Sequence, residues 1–235
     1  FDCLVVDEAQ EFAPLELELI GRSLAPGGTL VVAGDGDQQL DPGAFFAGWP
    51  SVMQHLGVER FDTVRLEASY RCPVEVVAWA RTLRSDGSAA KEPWPVVKFE
   101  TEVQLMAELC RALEPLIADD PWASIGLILR APKVARRFFA ALRAVHIASM
   151  LVLDGRFVPH RGVDVTTIEQ VKGLEFDYVV VADVSEEQYP DDGESRRALY
   201  VAATRARFQL LLACVGQPSP LVVGCGSQGQ TSTVQ

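Results

Sequence analysis

Several patterns that mark common protein classes are missing from this sequence. Its five cysteines are scattered and no two form a CxxC pair, so neither a zinc site nor a disulfide framework is indicated. No apolar run reaches the roughly 20 residues that a membrane-spanning helix needs. No signal peptide is present at the start. These absences favour a protein of the reducing cytoplasm that has no membrane partner.

Positive charge is also scarce. The 235 residues contain 21 Lys+Arg and 32 Asp+Glu, which gives a formal net charge of -11. A generic basic nucleic-acid binder has the opposite sign, so any nucleic-acid contact has to be local. Hydrophobic residues make up 49% of the chain, as in an ordinary globular protein. The length suits one large domain or two small ones.

Short apolar runs alternate with amphipathic stretches along the chain. The predicted strands are FDCLVVD, TLVVAGD, TVRLE, PVVKFE, SIGLILR, VDVTTI, DYVVVADV and FQLLLACV. The predicted helices are PLELELIGRSLA, PVEVVAWARTLR, EVQLMAELCRALEPLIA, VARRFFAALRAV and SRRALYVAATRAR. Strands that are continuously apolar and alternate with helices indicate an α/β fold with parallel sheets covered on both faces.

Polar clusters follow the first two predicted strands. Asp7 and Glu8 end the first strand, and GDGDQQ, residues 34 to 39, ends the second. Ligands of such sheets bind beyond the carboxyl ends of the strands, so we expect both clusters at one edge. An Asp-Glu doublet after a strand has a second interpretation, as the N-terminal cap of a helix.

Segments further along the chain extend this pattern in a fixed order. LVVDEAQ is followed by VVAGDGDQQ, RLEASYR, TTIEQVKGLEFDYVVV and RRALYVAATRAR. The series resembles the UvrD/Rep-like superfamily 1 helicases, including their helicase IV-like branch, from Phe1 to about Val215. The resemblance implies parallel sheets of the RecA-like (P-loop NTPase) type. It divides the chain into part of a first RecA-like domain (1–66), a second RecA-like domain without a large accessory insertion (67–215) and a tail (216–235).

The resemblance assigns ATP and Mg²⁺ to the first domain. Asp7 matches the carboxylate associated with the metal, and Glu8 matches the residue that orients and deprotonates the attacking water. Gln10 and Gln38 match glutamines that bridge this water, the γ-phosphate and the neighbouring domain. An amide suits that role because it both donates and accepts hydrogen bonds.

Further nucleotide contacts are implied downstream. Tyr70 matches the residue whose ring stacks on the adenine, and Arg71 matches a γ-phosphate contact. Arg205 matches an arginine finger contributed by the second domain, since a planar guanidinium binds phosphate oxygens in pairs. Glu175 matches a ribose contact, and Gly173 is expected to allow a tight turn. Structural alternatives are a core position for Tyr70, a surface charge for Arg71, an acid partner for Arg205 and a turn cap for Glu175.

The nucleic-acid side of the pattern is weaker. The resemblance points to Thr167, Phe45 and Phe46 as contacts to single-stranded DNA. Phe45 and Phe46 either stack on bases or belong to the core. Glu169 stands where the family often has histidine, and an acid facing a phosphate backbone is unfavourable. The sequence therefore supports ATPase chemistry better than a grip on DNA.

One motif of the family is absent. The phosphate-binding loop G-x-x-x-x-G-K-[ST] does not occur in the 235 residues. We therefore expect a C-terminal fragment that begins at the Walker B strand and does not hydrolyse ATP alone. The implied function of the parent is an ATP-dependent single-stranded DNA translocase or helicase, working 3′ to 5′ in repair or recombination. The alternative is a nucleotide-switched remodelling protein that acts on a protein partner such as RNA polymerase.

Overall fold

The computed structural model describes residues 1–38, 44, 46–66, 72–84 and 94–222. The chain divides into two compact units, Phe1–Ala68 and Ser69–Gln235. Among the predicted site residues, Phe45, Tyr70 and Arg71 lie outside the described residues. The two units are called unit 1 and unit 2 below.

Unit 1 is built on two short parallel strands. Its elements are β1 (Cys3–Val6), α1 (Pro14–Gly21), β2 (Thr29–Val32) and α2 (Trp49–His55). Pro14 opens α1, where its missing N–H leaves no bond unmade. One face of the strand pair packs against both helices, and the core formed there contains Val6, Leu17, Val52, Met53 and Leu56.

Unit 2 contains a six-stranded sheet in the order β3-β8-β7-β4-β6-β5, and every pairing is parallel. The predicted α/β fold with parallel sheets is confirmed. The elements of unit 2 are α3 (Val74–Arg84), β3 (Val96–Phe99), α4 (Glu102–Asp119), β4 (Ser124–Leu129), α5 (Pro132–Ala144), β5 (Ser149–Val152), β6 (Gly162–Thr167), β7 (Phe176–Val181), α6 (Gly193–Ala203) and β8 (Ala206–Val215).

The core of unit 2 follows from the alternation of side chains along its central strand. Ile125, Leu127 and Leu129 of β4 are fully buried, and they share one core with apolar residues of α4 and α5. Ile128, which points to the opposite face of the sheet, is also fully buried. Burial on both faces explains why the strand is apolar at nearly every position. Helix α6 contacts β7 and β8, and α3 contacts α6.

Some predicted elements differ from the structure. TVRLE was predicted as a strand, but its described part, residues 63–66, forms none. Val64 and Leu66 are 83% and 89% exposed, so these residues lack the burial and cross-strand partners on which strand preference depends. The sequence did not predict α2 or β5, whose seven and four residues are too short for a clear period.

Within the described part of the chain, no helix has both the length and the apolar character that crossing a membrane requires.

Gly162 fixes the start of β6. Its φ is +110°, and a Cβ added there would lie 2.0 Å from the backbone oxygen of Ala148. Ala148 cannot withdraw easily, because its carbonyl accepts the N–H of Val163 at 2.9 Å. The entry into β6 therefore requires glycine both for its backbone conformation and for space.

We expect Gly162→Ala to lower the free energy of unfolding by about 3 kcal/mol or more, because it combines backbone strain with a clash against main chain. Urea unfolding followed by circular dichroism measures this change. Gly193→Ala is the matched control, since a methyl group there meets only the flexible end of Arg197 at 3.4 Å. The control is expected within about 0.5 kcal/mol of the parent. Equal stability of the two variants would contradict the requirement at Gly162.

Candidate functional site

The carboxyl edge of the strand pair in unit 1 gathers the predicted acidic residues. Val6 pairs with Val32 in the parallel register, so Asp7 and Glu8 leave β1 at the edge where Gly34 leaves β2. The N–H of Ala9 donates to the oxygen of Ala33 at 3.0 Å, so the two segments remain hydrogen-bonded beyond the ends of the strands. The expectation that both polar clusters share one edge is confirmed.

Glu8 has an unusual backbone conformation. Its φ and ψ are 51° and 40°, which is the left-handed region that non-glycine residues rarely adopt. Such a conformation costs on the order of 1 kcal/mol. The backbone N–H of Glu8 donates to Asp7 Oδ1 at 2.9 Å, which offsets part of that cost. Strained backbone of this kind concentrates at functional sites.

Gln10 holds the carboxylate of Glu8 in place. Its Nε2 donates to Glu8 Oε2 at 2.6 Å, and its Oε1 accepts the N–H of Asp35 at 3.0 Å. The Gln10 side chain is almost fully buried, and a Cβ on Gly34 would lie 2.2 Å from its oxygen. Gln38 extends the network, because its Nε2 donates to Asp35 Oδ2 at 3.1 Å. Both ends of the buried amide are used, so Glu8 has a defined orientation.

The carboxylates at this edge of unit 1 could supply only some of the ligands that a metal ion needs. Asp7 is exposed, and its Oδ1 accepts the N–H of Glu8. Across the described ranges, no group of three or more His, Cys, Asp or Glu residues could hold a metal ion. Mg²⁺ usually binds through one or two carboxylates and completes its shell with water and phosphate oxygens. A single exposed carboxylate such as Asp7 is compatible with this kind of magnesium binding.

In unit 2, the predicted finger residue Arg205 is buried, with 3% of its surface exposed. Its Nε donates to the oxygen of Val201 at 3.1 Å, and one terminal nitrogen donates to the oxygen of Leu174 at 3.2 Å. The other terminal nitrogen donates to Thr204 Oγ1 at 3.3 Å. The N–H of Phe176 donates to the backbone oxygen of Arg205 at 2.9 Å. Arg205 thus joins the end of α6 to the turn that precedes β7.

The same turn carries the predicted ribose contact. Gly173 has a φ of +69°, as the predicted tight turn requires. Glu175 follows it and lies 3.8 Å from Arg207 Nε, and Arg207 also donates to Asp177 Oδ1 at 3.1 Å. Sequence reasoning missed Arg207, because only the pairing of β7 with β8 places it beside these two acids.

Cys72, from the segment that precedes α3, also lies beside the end of α6. Its Sγ lies 4.0 Å from the backbone oxygen of Ala203. Burial raises the pKa of the Cys72 thiol to about 11, and the charge of Arg205 opposes part of that rise. Cys72 directly follows the predicted phosphate contact Arg71 in the sequence. The segment after RLEASYR therefore meets the end of α6.

These residues of unit 2 lie at the amino ends of the strands. The turn at Gly173 precedes β7, and Arg205 precedes β8. Thr167, a predicted DNA contact, is buried at the carboxyl end of β6, away from this group along the strand direction. The other described candidate for a DNA contact, Phe46, is partly buried against the core of unit 1 with its ring 5.2 Å from that of Trp49. This packing favours the core alternative for Phe46.

A cavity of about 560 Å³ opens at the opposite edge of the same sheet, beyond the carboxyl ends of β7 and β8. Asp183 stands there with a φ of 61°. Hydrogen bonds from Ser185 and the backbone of Val215 reach its carboxylate, but Oδ1 is buried and has no partner among the described residues. The acidic residues lining the cavity are Glu102, Asp183, Glu186 and Glu187.

The comparisons with known proteins agree with the geometry of unit 2. Residues 162–213, which run from β6 into β8 and include Glu175 and Arg205, match the family model described as the UvrD-like helicase C-terminal domain. Unit 2 is similar to UvrD-like helicase C-terminal domains. A solved C-terminal domain of a possible DNA helicase from Lactobacillus (strain WCFS1) is 25% identical with a TM-score of 0.55, over 67% of this chain and 94% of that chain. No curated protein matches significantly.

Unit 2 makes a testable electrostatic prediction at Asp183. Burial raises the pKa of this carboxyl, the bonds from Ser185 and Val215 lower it, and the charges of Glu102 and Glu187 raise it further. The folded state therefore binds more protons than the unfolded state once the pH exceeds the ordinary value of about 3.9. The stability that Asp183 contributes is complete below that pH and is lost as the pH rises through the higher folded value.

We expect Asp183→Asn to stabilise the fold at neutral pH, on the order of 1 kcal/mol, and to have little effect near the pH of the unfolded carboxyl. Asparagine tolerates the left-handed backbone, keeps an oxygen for the bonds from Ser185 and Val215, and carries no charge that burial disfavours. Urea unfolding at both pH values measures the difference. The control is Asp119→Asn, at the exposed end of α4. A loss of stability in Asp183→Asn at neutral pH would contradict this account.

Proposed function

We propose that this chain is part of an ATP-driven DNA motor of the UvrD-like superfamily 1 type. The motor translocates on single-stranded DNA, 3′ to 5′ by resemblance, and the setting is repair or recombination. The observation that carries the proposal is the bond from Arg205 to the backbone of Leu174, which joins the KGLEF and ATRAR segments. Both segments lie inside the range that matches the UvrD-like family model.

The described contacts of unit 1 support a role in ATP hydrolysis. We assign Glu8 to accept the proton of the attacking water, because Gln10 orients its carboxylate at a strained strand end. Asp7 would hold Mg²⁺, which supplies charge neutralisation at the phosphates when bound. We assign Gln38 a role through Asp35, since its amide donates to that carboxylate.

In unit 2, we assign Arg205 to the phosphates and Glu175 to the ribose. The buried guanidinium of Arg205 donates to two carbonyl oxygens and a hydroxyl, and a phosphate at this site would exchange with one of these partners. The exchange is favourable because a phosphate oxygen carries more charge than a carbonyl. We assign the exchange to the bond with Leu174, since this bond reaches the loop that leads to Glu175.

The test of the chemistry is Glu8→Gln. The 235 residues contain no phosphate-binding loop, so turnover is measured on a longer polypeptide that supplies one and of which we propose this chain to be a part. Glutamine keeps the shape of Glu8 but cannot accept the proton, so we expect ATP binding to persist and turnover to fall about a hundredfold or more. Glu59→Gln, on an exposed acid of unit 1, is the control and should leave turnover unchanged. Turnover in Glu8→Gln equal to that of the control removes Glu8 from the mechanism.

The dependence of turnover on DNA tests the proposed substrate. We expect single-stranded DNA to stimulate ATP hydrolysis by the same polypeptide about tenfold or more, since motors of this kind couple hydrolysis to strand binding. ATPase assays with and without an oligonucleotide measure this ratio. Hydrolysis that ignores DNA and responds to a protein such as RNA polymerase would replace the motor by the nucleotide-switched remodelling protein.

A further inference from the structure

Helix α5 has an unusual charge for this chain. Its sequence, PKVARRFFAALRA, contains Lys133, Arg136, Arg137 and Arg143 and no acid. The whole chain has 32 acidic and 21 basic residues, so the average segment of this length is negative. The cations of α5 therefore need either an acidic partner next to the helix or a binding role on its surface.

The cations of α5 lie on its outer side. The helix buries Ala135, Phe138 and Leu142 against the sheet. Lys133, Arg136 and Arg143 are exposed, and their spacing of three and seven residues places them along one side of the helix. We call these three residues the α5 stripe. At 1.5 Å per residue the stripe is about 15 Å long.

The α5 stripe is not neutralised within the described residues. Arg137, beside it, is held by both carboxylate oxygens of Glu102 at 2.7 and 2.6 Å. The helix packed alongside, α4, directs a further acid, Glu108, to its own Arg111. Lys133, Arg136 and Arg143 form no ion pair with any residue that the structure describes.

The chemistry of the stripe favours a phosphate backbone over a protein surface. A protein partner is bound mainly through buried apolar and aromatic side chains. Between Arg136 and Arg143 the stripe exposes only Ala140, which offers little apolar area. A linear polyanion needs only cations spaced along a line, and DNA carries a phosphate every 3.4 Å or so along each strand.

We propose that Lys133, Arg136 and Arg143 bind the phosphodiester backbone of DNA along the outer side of α5. The choice of DNA rests on the proposed function. The stripe is a local cation row on a chain whose net charge is -11, so it directs the polyanion to one side of unit 2. It contacts no base edge by this account, and binding is therefore independent of sequence.

The experiment is fluorescence anisotropy with the full 235-residue chain and no nucleotide. The probes are a labelled single-stranded oligonucleotide of mixed sequence and the duplex that it forms with its complement. Each phosphate contact contributes about 0.7 to the salt slope of binding on a single strand and about 0.9 on a duplex. Replacing all three cations by glutamine should therefore lower the slope by about 2 on the strand and about 3 on the duplex.

The control removes the same charge elsewhere. Arg22, Arg111 and Arg156 are exposed and lie outside α5, so replacing all three by glutamine changes the net charge equally. The control should keep the slope of the unchanged chain and bind at least about tenfold more tightly than the stripe variant at low salt. Circular dichroism checks that both variants fold. If the triple variant does not fold, the double variant Lys133→Gln with Arg136→Gln replaces it, and we expect it to lower the slope on the single strand by about 1.5.

Three results overturn the proposal: equal slopes in the stripe and control variants, no binding of either probe by the unchanged chain at about 50 mM salt, or a stripe variant that still binds both DNA probes but no longer binds a labelled acidic polypeptide, used as a third probe. These outcomes are separate from the proposed function. The anisotropy assay contains no ATP, so it does not depend on Glu8. A longer polypeptide whose ATP hydrolysis responds to DNA, but whose α5 stripe makes no phosphate contact, would retain the motor proposal and exclude only this surface.

Discussion

The burial of a charged guanidinium is the constraint on which the arrangement of unit 2 depends. An ion taken out of water costs several kcal/mol unless its donors find partners. Arg205 meets this requirement with the carbonyl oxygens of Val201 and Leu174 and the hydroxyl of Thr204. Because Leu174 belongs to the turn between Gly173 and Glu175, a shift of that turn removes one partner of the buried guanidinium. Two segments that are distant in sequence are therefore held as one structure.

In unit 1, a neutral side chain, the amide of Gln10, fixes the position of the Glu8 carboxylate. An amide partner fixes a carboxylate by hydrogen bonding without placing a charge beside it. Glu8 is bonded by the amide of Gln10, whereas Glu175 lies beside Arg207. The two acids thus differ in the partner that fixes them. The difference fits a base at Glu8 and a binding contact at Glu175.

Much of the fold could be predicted from the sequence, because buried parallel strands are apolar on both faces and amphipathic helices separate them. Position along one sheet edge was also predictable in unit 1, since strand ends and polar clusters coincide at Asp7. Contacts that depend on register were not: Arg207 reaches Asp177 and Glu175 only because β7 pairs with β8. The predicted strand at Val64 failed because a β-branched residue favours a strand only where a partner strand buries it.

The distribution of charge in unit 2 limits where a polyanion can approach. Acids line the cavity beyond the carboxyl ends of β7 and β8, whereas Arg205 and Arg207 stand at the amino ends of the same strands. At physiological salt, charges are screened beyond about 8 Å, so the two edges act independently in spite of the negative total. The first edge disfavours an anion, whereas at the second edge Arg207 is paired with Glu175 and Asp177 and Arg205 is buried. An anionic ligand of this sheet therefore meets an unfavourable field at the carboxyl edge, where ligands of such sheets ordinarily bind.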